Sequence, residues 1–368
     1  MKYYIIAGEA SGDLHGSNLI HALRKKDPKA EIRCWGGELM KNAGATLVKD
    51  YKELAFMGFW EVLINLNTIL KNLRFCKEDI DKFNPDRIVY IDYPGFNLRI
   101  ARWAHEKGFK NHYYISPQVW AWKENRVADM KKNLDALYVI LPFESAYFKN
   151  RHNFKTHFVG HPLRDALHFL KPDVNFLERN AIEKKLPLVA LLPGSRKQEV
   201  KKMLPLFLKI AYHFPKYQFV VAGAPGLSST FYESLLQGSS LKIVYNQTYS
   251  LLSFAKAALV TSGTATLETA LFNVPQMVCY KSSFFTYFIG KQLVRLNYIS
   301  LVNLILDKEA VRELIQHECN EKNIIKVLRE ILSTTGQQNI KSDYKILEEK
   351  LGPPGASERV ANLLLEHS

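Results

Sequence analysis

Short apolar segments alternate with longer helical patterns along this chain, and that alternation leaves few folds open. It is the signature of βαβ units, whose crossover helices force neighbouring strands to run parallel. In the first half the expected strands are Tyr3–Ala7, Glu31–Trp35, Arg87–Ile91, His112–Ile115, Leu137–Leu141 and His157–Val159. The pattern weakens over Phe169–Lys185, around Lys171-Pro172-Asp173, and then begins again. The second series is Leu188–Leu192, Gln218–Ala222, Leu241–Val244, Ala258–Val260 and Gln276–Val278. Each series opens with a strand, a Gly/Ser turn and a helix, so the expected fold is α/β with two doubly wound halves facing one cleft. The 368 residues suit two domains, with boundaries expected at 1–170 and 186–345. Beyond the break Gly352-Pro353-Pro354-Gly355, a last amphipathic helix is expected over Ala356–Glu366, within a closing segment 346–368.

Composition narrows the class. Apolar types at 47% and charged types at 23% exclude a disordered or collagen-like chain. Cys34, Cys76, Cys279 and Cys319 form no C-x-x-C pair, which reads as a reduced set and neither a disulfide framework nor a zinc site. Met1–Ile6 runs directly into a strand pattern, so no signal peptide is expected, and no apolar run approaches the ~18–20 residues that span a bilayer. Fifty Lys and Arg against 36 Asp and Glu give a net charge of +14, which favours anionic partners. The basic residues are scattered, without a block or a recognisable nucleic-acid module, so nucleic acid is not expected as a partner.

Ligands of parallel sheets sit at the carboxyl ends of strands, and the loops there carry the candidate chemistry. The first is Ala7-Gly8-Glu9-Ala10-Ser11-Gly12-Asp13, whose glycine spacing is neither a dinucleotide fingerprint nor a P-loop. Ser11 or Asp13 suits a cap of the following helix, whereas Glu9, among small residues, points to ligand contact. Asp92 leaves the apolar run Arg87–Ile91 ahead of Pro94-Gly95. Partial burial there would suit a general base, and a turn former is the alternative. Asp79-Ile80-Asp81 resembles a metal-binding D-x-D, but it lies in a helical pattern where residues two apart diverge, so no metal site is expected. Trp120 and Trp122 read as core packing or as a platform in the loop from Ser116, and His161 as a structural hydrogen bond.

In the second half, Leu192-Pro193-Gly194-Ser195-Arg196 precedes a helix expected near Glu199, and Ser195 with Arg196 suits a phosphate grip. The segment Thr261-Ser262-Gly263-Thr264 leads into a second helix, whose amide groups and dipole favour a pyrophosphate. Glu268, about a turn in, suits ribose hydroxyls. Together the two loops point to a nucleoside diphosphate. A separate feature is the apolar stripe Phe56, Phe59, Leu63, Leu66, Leu70 and Leu73, with Trp60 inside the same segment and Lys71 and Arg74 at one end. It fits a helix packed on the sheet and equally an interfacial or acyl-binding element.

Read jointly, Ala7–Asp13, Met57–Leu63, Ser116–Trp122, Leu192–Arg196, Ser262–Glu268 and Tyr298–Leu304 closely resemble the lipid-A-disaccharide synthase family. Val302, where Pro is common, and Gln118, where Ser is common, are small departures. The resemblance implies a GT-B fold and a closing helix that returns to the first domain. That domain would face acceptor and membrane, and the second would bind the UDP-sugar. It implies a hexosyltransferase that joins UDP-2,3-diacylglucosamine to 2,3-diacylglucosamine 1-phosphate (lipid X) in a β-1,6 link, with inversion and without cofactor or metal. Asp92 and Glu9 would carry the catalysis. Ser195, Arg196, Ser262, Gly263, Thr264, Glu268 and Asn303 would hold the UDP-sugar. The implied partners are the two lipid substrates, the cytoplasmic face of the inner membrane and, as an option, a second copy of the chain. A nucleotide oxidoreductase is disfavoured because its glycine fingerprint is missing. A GT-B epimerase, a peptidoglycan-precursor transferase and a non-enzymatic UDP-binding module remain as rivals.

Overall fold

The computed structural model describes residues 1–53, 66–168, 170, 173–236, 238–239, 241–281 and 297–366, with Leu66 and His168 described by backbone alone. Two units divide the chain, Met1–Phe169 with Leu351–Ser368 and Leu170–Lys350.

The first unit is a seven-stranded parallel sheet: β1 Lys2–Ala7, β2 Glu31–Gly36, β3 Thr46–Asp50, β4 Arg87–Ile91, β5 Asn111–Tyr114, β6 Ala136–Val139 and β7 His157–Phe158, in the order β3-β2-β1-β4-β5-β6-β7. Alternation along β1 explains why both faces are covered. Tyr3, Ile5 and Ala7 share one core with Leu19 and Ile20 of helix Ala10–Lys26, while Tyr4 and Ile6 join Ile80, Phe96 and Ile100 on the other face. Helix Ala356–Glu366 completes the first of these cores with Val360, Ala361 and Leu364. Its N-terminus is tied down by Asp165, whose carboxylate accepts the amide protons of Gly355, Ala356 and Ser357 at 2.6, 3.1 and 3.0 Å.

The second unit is a six-stranded parallel sheet: β8 Leu188–Leu192, β9 Gln218–Gly223, β10 Lys242–Tyr245, β11 Ala255–Val260, β12 Gln276–Tyr280 and β13 Glu313–Ile315, in the order β10-β9-β8-β11-β12-β13. Leu188, Ala190 and Leu192 pack with Val220, Leu251 and Val260 in one core. The α/β architecture thus matches the strand pattern, apart from β3 and β13. Both are edge strands: β3 is only half-buried, and β13 has three residues with Glu313 at its start, so neither carries an apolar run.

Helix Leu66–Phe83 carries both the end of the apolar stripe and Asp79-Ile80-Asp81. Ile69, Leu73, Cys76 and Ile80 face the sheet, whereas Leu70 and Phe75 are 52% and 44% exposed beside exposed Lys71 and Arg74. The expected stripe is therefore divided, since Leu73 is core and Leu70 is not. Phe56, Phe59, Trp60 and Leu63 lie outside the described residues, as does the Leu66 side chain. Asp79 accepts from the Tyr4 hydroxyl at 2.7 Å and from Arg33 at 2.6 Å, while Asp81 is exposed. Each aspartate of that D-x-D thus turns to different surroundings.

Candidate active-site loops

The strand order reverses direction at β1/β4 in the first unit and at β8/β11 in the second. At such switch points neighbouring crossovers leave on opposite faces, and a crevice opens beyond the strand ends. The loops after these strands carry the candidate residues, and each unit is described by its own set.

In the first unit, Ala7 pairs with Ile91, which sets Gly8-Glu9 beside Asp92-Tyr93. Asp92 and Tyr93 are both left-handed, at φ 45° and 50°, a backbone strain rare for two consecutive non-glycine residues. Neighbours hold the turn in that shape. The Asp92 carbonyl accepts from the Asn97 amide at 2.7 Å and the Tyr113 hydroxyl at 2.5 Å, and its amide donates to the Tyr114 carbonyl at 3.1 Å. Gly8 is required beneath it, because a Cβ there would lie 2.3 Å from the Tyr93 ring. The Asp92 side chain is half-buried and its carboxyl is raised to about 6, first by burial and then by the charge of Glu9, against a hydrogen bond from the Tyr93 amide. Glu9 itself is exposed, at the N-cap of helix Ala10–Lys26, with no capping bond from its side chain.

Asp13 does not cap its own helix. It sits in the first turn and reaches across to accept from Gly37, Leu39 and Met40 at 2.8, 3.2 and 3.0 Å, capping helix Glu38–Asn42. His161 is buried and accepts the Leu163 amide at 3.2 Å, a structural role. The tryptophans divide: Trp120 donates to Glu144 at 3.1 Å and meets Phe143 edge-on, while Trp122 is 45% exposed with Lys123 4.3 Å over its ring. Glu144 had no distinguishing sequence signal, since a glutamate opening a helix reads as a dipole partner. It is fully buried beyond β6 and raised to about 7 by burial, opposed by the amides of Leu141 and Ile140 and by the Trp120 indole.

In the second unit, the β8 loop differs from the open phosphate grip expected of it. The Glu199 carboxylate folds back and accepts the Ser195 and Arg196 amides at 3.0 and 3.2 Å, so these N–H groups are occupied. The helix begins at Lys197, two residues before Glu199, because Glu199 serves its first turn. Ser195 and the Arg196 side chain remain exposed. Beyond β11, Gly263 at φ 131° opens helix Thr264–Leu271, and Gly263 and Thr264 are exposed. Ser262 donates to the Ile299 carbonyl at 3.1 Å and so ties this loop to the segment before Ser300. Glu268 accepts from the Tyr249 hydroxyl at 2.9 Å and is raised by burial.

Asn303 departs from its expected role in ligand contact. It is fully buried; its amide nitrogen donates to Val311 and Glu313 and its oxygen accepts from Val311, so its side chain is engaged within the fold. It acts with buried Glu313, which also accepts from Ile299 and Ser300, to fix the segment that Ser262 grips.

Comparison with known proteins gives this arrangement a lineage. A family model described as lipid-A-disaccharide synthetase matches residues 3–365. The lipid-A-disaccharide synthase of Syntrophus aciditrophicus is 38% identical over 98% of this chain and 96% of its own length. That of Geobacter sulfurreducens is 35% identical over 99% and 97%. Among solved structures, a UDP-GlcNAc 2-epimerase from Neisseria meningitidis bound to UDP-GlcNAc superposes with a TM-score of 0.69 at 13% identity, covering 100% of both chains. The glycotransferase of kitacinnamycin gives 0.65 at 11% identity, covering 99% of this chain and 98% of its own. At such identities the structural likeness speaks to fold alone, and it bears out the GT-B architecture.

Proposed function

The chain belongs to the lipid-A-disaccharide synthetase family, and from that premise we propose how its residues perform the transfer. It is a glycosyltransferase of lipid A disaccharide synthesis that acts on a UDP-sugar and a lipid. The donor is UDP-2,3-diacylglucosamine and the acceptor 2,3-diacylglucosamine 1-phosphate. The acceptor 6-hydroxyl oxygen attacks the donor's anomeric carbon, the bond from that carbon to the UDP oxygen breaks, and UDP departs with the electron pair. The configuration inverts through an oxocarbenium-like state, giving the β-1,6 link.

Asp92 takes the hydroxyl proton. The observation that carries this role is its half-buried carboxyl at a sheet switch point, raised to about 6 beside Glu9. A base near neutrality is ionised at working pH yet still attracts a proton. Glu9 sets the field around it.

The unit Leu170–Lys350 receives UDP. The exposed opening of helix Thr264–Leu271 offers amide groups and the positive end of its dipole to the diphosphate, with Ser262, Gly263 and Thr264 shaping the approach. Arg196 adds a guanidinium from the β8 loop with Ser195 beside it, and Glu268, held by Tyr249, serves the ribose. Asn303 contributes by positioning, since its side chain is already satisfied.

The first unit takes the acceptor and lies on the cytoplasmic face of the inner membrane. Exposed Leu70 and Phe75 beside Lys71 and Arg74 on one helix support that placement, as does the net charge of +14. No described helix is long and apolar enough to cross a membrane. Mass spectrometry of the products formed from the two diacylated substrates tests the whole assignment, which requires a disaccharide 1-phosphate and free UDP. Donor and acceptor recovered intact, with no disaccharide and no released UDP, would overturn it.

A further inference from the structure

A cavity of about 390 Å³ opens between helix Pro94–Glu106 and helix Arg126–Asn133 of the first unit. Both helices start at the carboxyl edge of the sheet, after β4 and after the Trp120 loop, so the cavity's upper end is bounded by Pro94 and Gly95, next to the Asp92 turn. Its walls are apolar where Leu98 and Met130 line it and basic where Arg99, Arg102 and Arg126 do. One carboxylate, Asp129, answers three guanidinium groups, and it is already paired with Arg102 at 2.6 Å. Among the described residues no carboxylate pairs with Arg99 or Arg126. Arg126 lies 5.7 Å from the Trp122 ring centroid at the upper end, and its charge reaches Tyr113, whose hydroxyl holds the Asp92 carbonyl.

We propose that this cavity is the subsite for the acceptor's phosphate, gripped by Arg99 and Arg126, with the first methylenes of an acyl chain against Leu98 and Met130. The chemistry is complementary at each point. A sugar phosphate carries a compact dianion that guanidinium forks match, and its acyl chain needs an apolar wall immediately beside that charge. The volume suits part of a lipid and not the whole, which agrees with a subsite bounded by Pro94 and Gly95, two and three residues beyond the base. The assignment rests on the acceptor proposed above.

The test compares two acceptors, 2,3-diacylglucosamine 1-phosphate and the same glycolipid without its phosphate, at saturating UDP-2,3-diacylglucosamine. The wild-type chain should favour the phosphorylated acceptor in kcat/KM. Arg99→Ala and Arg126→Ala should each cut that preference about 10-fold or more, the loss expected for one charge-assisted hydrogen bond. The KM for the donor should stay unchanged, and Arg99→Lys should restore part of the preference. Arg99 is exposed on a helix surface, so Arg99→Ala leaves the fold intact even if Arg126→Ala, which removes a neighbour of Trp122, does not. An undiminished preference in Arg99→Ala, or a wild-type chain indifferent to the phosphate, overturns the subsite. Failure of the wild-type chain to form disaccharide with either acceptor would instead overturn the proposed reaction itself.

Discussion

Glu9 and Asp92 stand at the ends of adjacent strands, one exposed and one half-buried, and the charge of the first helps hold the carboxyl of the second at about 6. The registration of β1 on β4 sets this relationship, with Ala7 opposite Ile91, so each carboxylate enters its loop within a residue or two of the shared edge. Burial makes the larger contribution to the Asp92 value and Glu9 the next. A pair divided in this way separates two tasks, one group to exchange a proton and one to set the field in which it does so.

Asp92→Asn keeps the size and most of the hydrogen bonding but cannot accept a proton. Turnover should fall by about 10²–10⁴-fold, the usual contribution of a positioned base, while UDP affinity by calorimetry stays as in the wild type. The sign of the pH effect follows from the raised value. The wild-type base is ionised above about 6 and protonated below it, so activity should decline as pH falls through that value, and the variant should lack this limb. Near-normal turnover in Asp92→Asn would move the base elsewhere.

Glu9→Gln removes a charge that raises Asp92, so the acid limb should shift to lower pH. Protonation of Asp92 then begins further below 6, and the variant should retain more of its maximal rate under mildly acid conditions. A limb that stays in place, measured as kcat/KM against pH, would separate Glu9 from Asp92.

Gly8→Ala places a methyl group 2.3 Å from the Tyr93 ring, which must move. Tyr93 follows Asp92 in the strained turn, so its displacement carries Asp92 with it. An overpacking cost of about 1–3 kcal/mol in chemical denaturation is expected. Turnover should fall further than stability does, because a shift of about 1 Å can remove 10² in rate. Wild-type stability and turnover together would show that the ring relaxes freely.

Arg196→Ala should weaken UDP by about 1.5–3 kcal/mol, the range for a hydrogen bond to a charged group. The Glu199 hydrogen bonds to the Ser195 and Arg196 amides involve no Arg196 side chain, so the loop should keep its shape and calorimetry should read the guanidinium alone. Unchanged affinity would remove Arg196 from the phosphate site.

Leu70→Ser strips exposed apolar surface from helix Leu66–Phe83 and leaves in place Phe75, whose ring meets the buried Trp35 at 6.0 Å. Co-sedimentation with anionic vesicles should drop while the thermal midpoint stays close to wild type. Vesicle binding at the wild-type level would exclude this face from the membrane contact.

What was legible in the sequence was what period and strand ends reveal. Arg87–Ile91 is a buried run that ends in an acid, and both the strand and the placement of Asp92 at its end followed from that. Helix Ala356–Glu366 was legible because Gly352 to Gly355 stop one helix and a new apolar stripe begins. Local pattern does not carry a partner chosen by tertiary structure. Asp13 looks like a cap for its own helix, yet its partners Gly37 and Met40 arrive from the next βα unit. Asn303 looks like a ligand contact in a polar segment, but buried Glu313, itself part of a three-residue strand, claims its amide. Glu199 was visible as a helix residue, and only its side-chain direction revealed that it covers the Ser195 and Arg196 amides.

The last helix has a consequence for how the chain is made. Val360, Ala361 and Leu364 fill a core shared with Tyr3, Ile5 and Leu19, which leave the ribosome long before them. Between those two moments all of Leu170–Lys350 must be synthesised, on the order of ten seconds or more at about 5–20 residues per second. Throughout that interval the first sheet carries an open apolar face, and the second unit gains its last strand, Glu313–Ile315, before the closing helix is made. The order of folding should therefore invert the order of synthesis, with the later unit closing first and the earlier one waiting for helix Ala356–Glu366. A nascent chain stalled before Gly355 would offer that face to a chaperone, and release of the last helix would withdraw it.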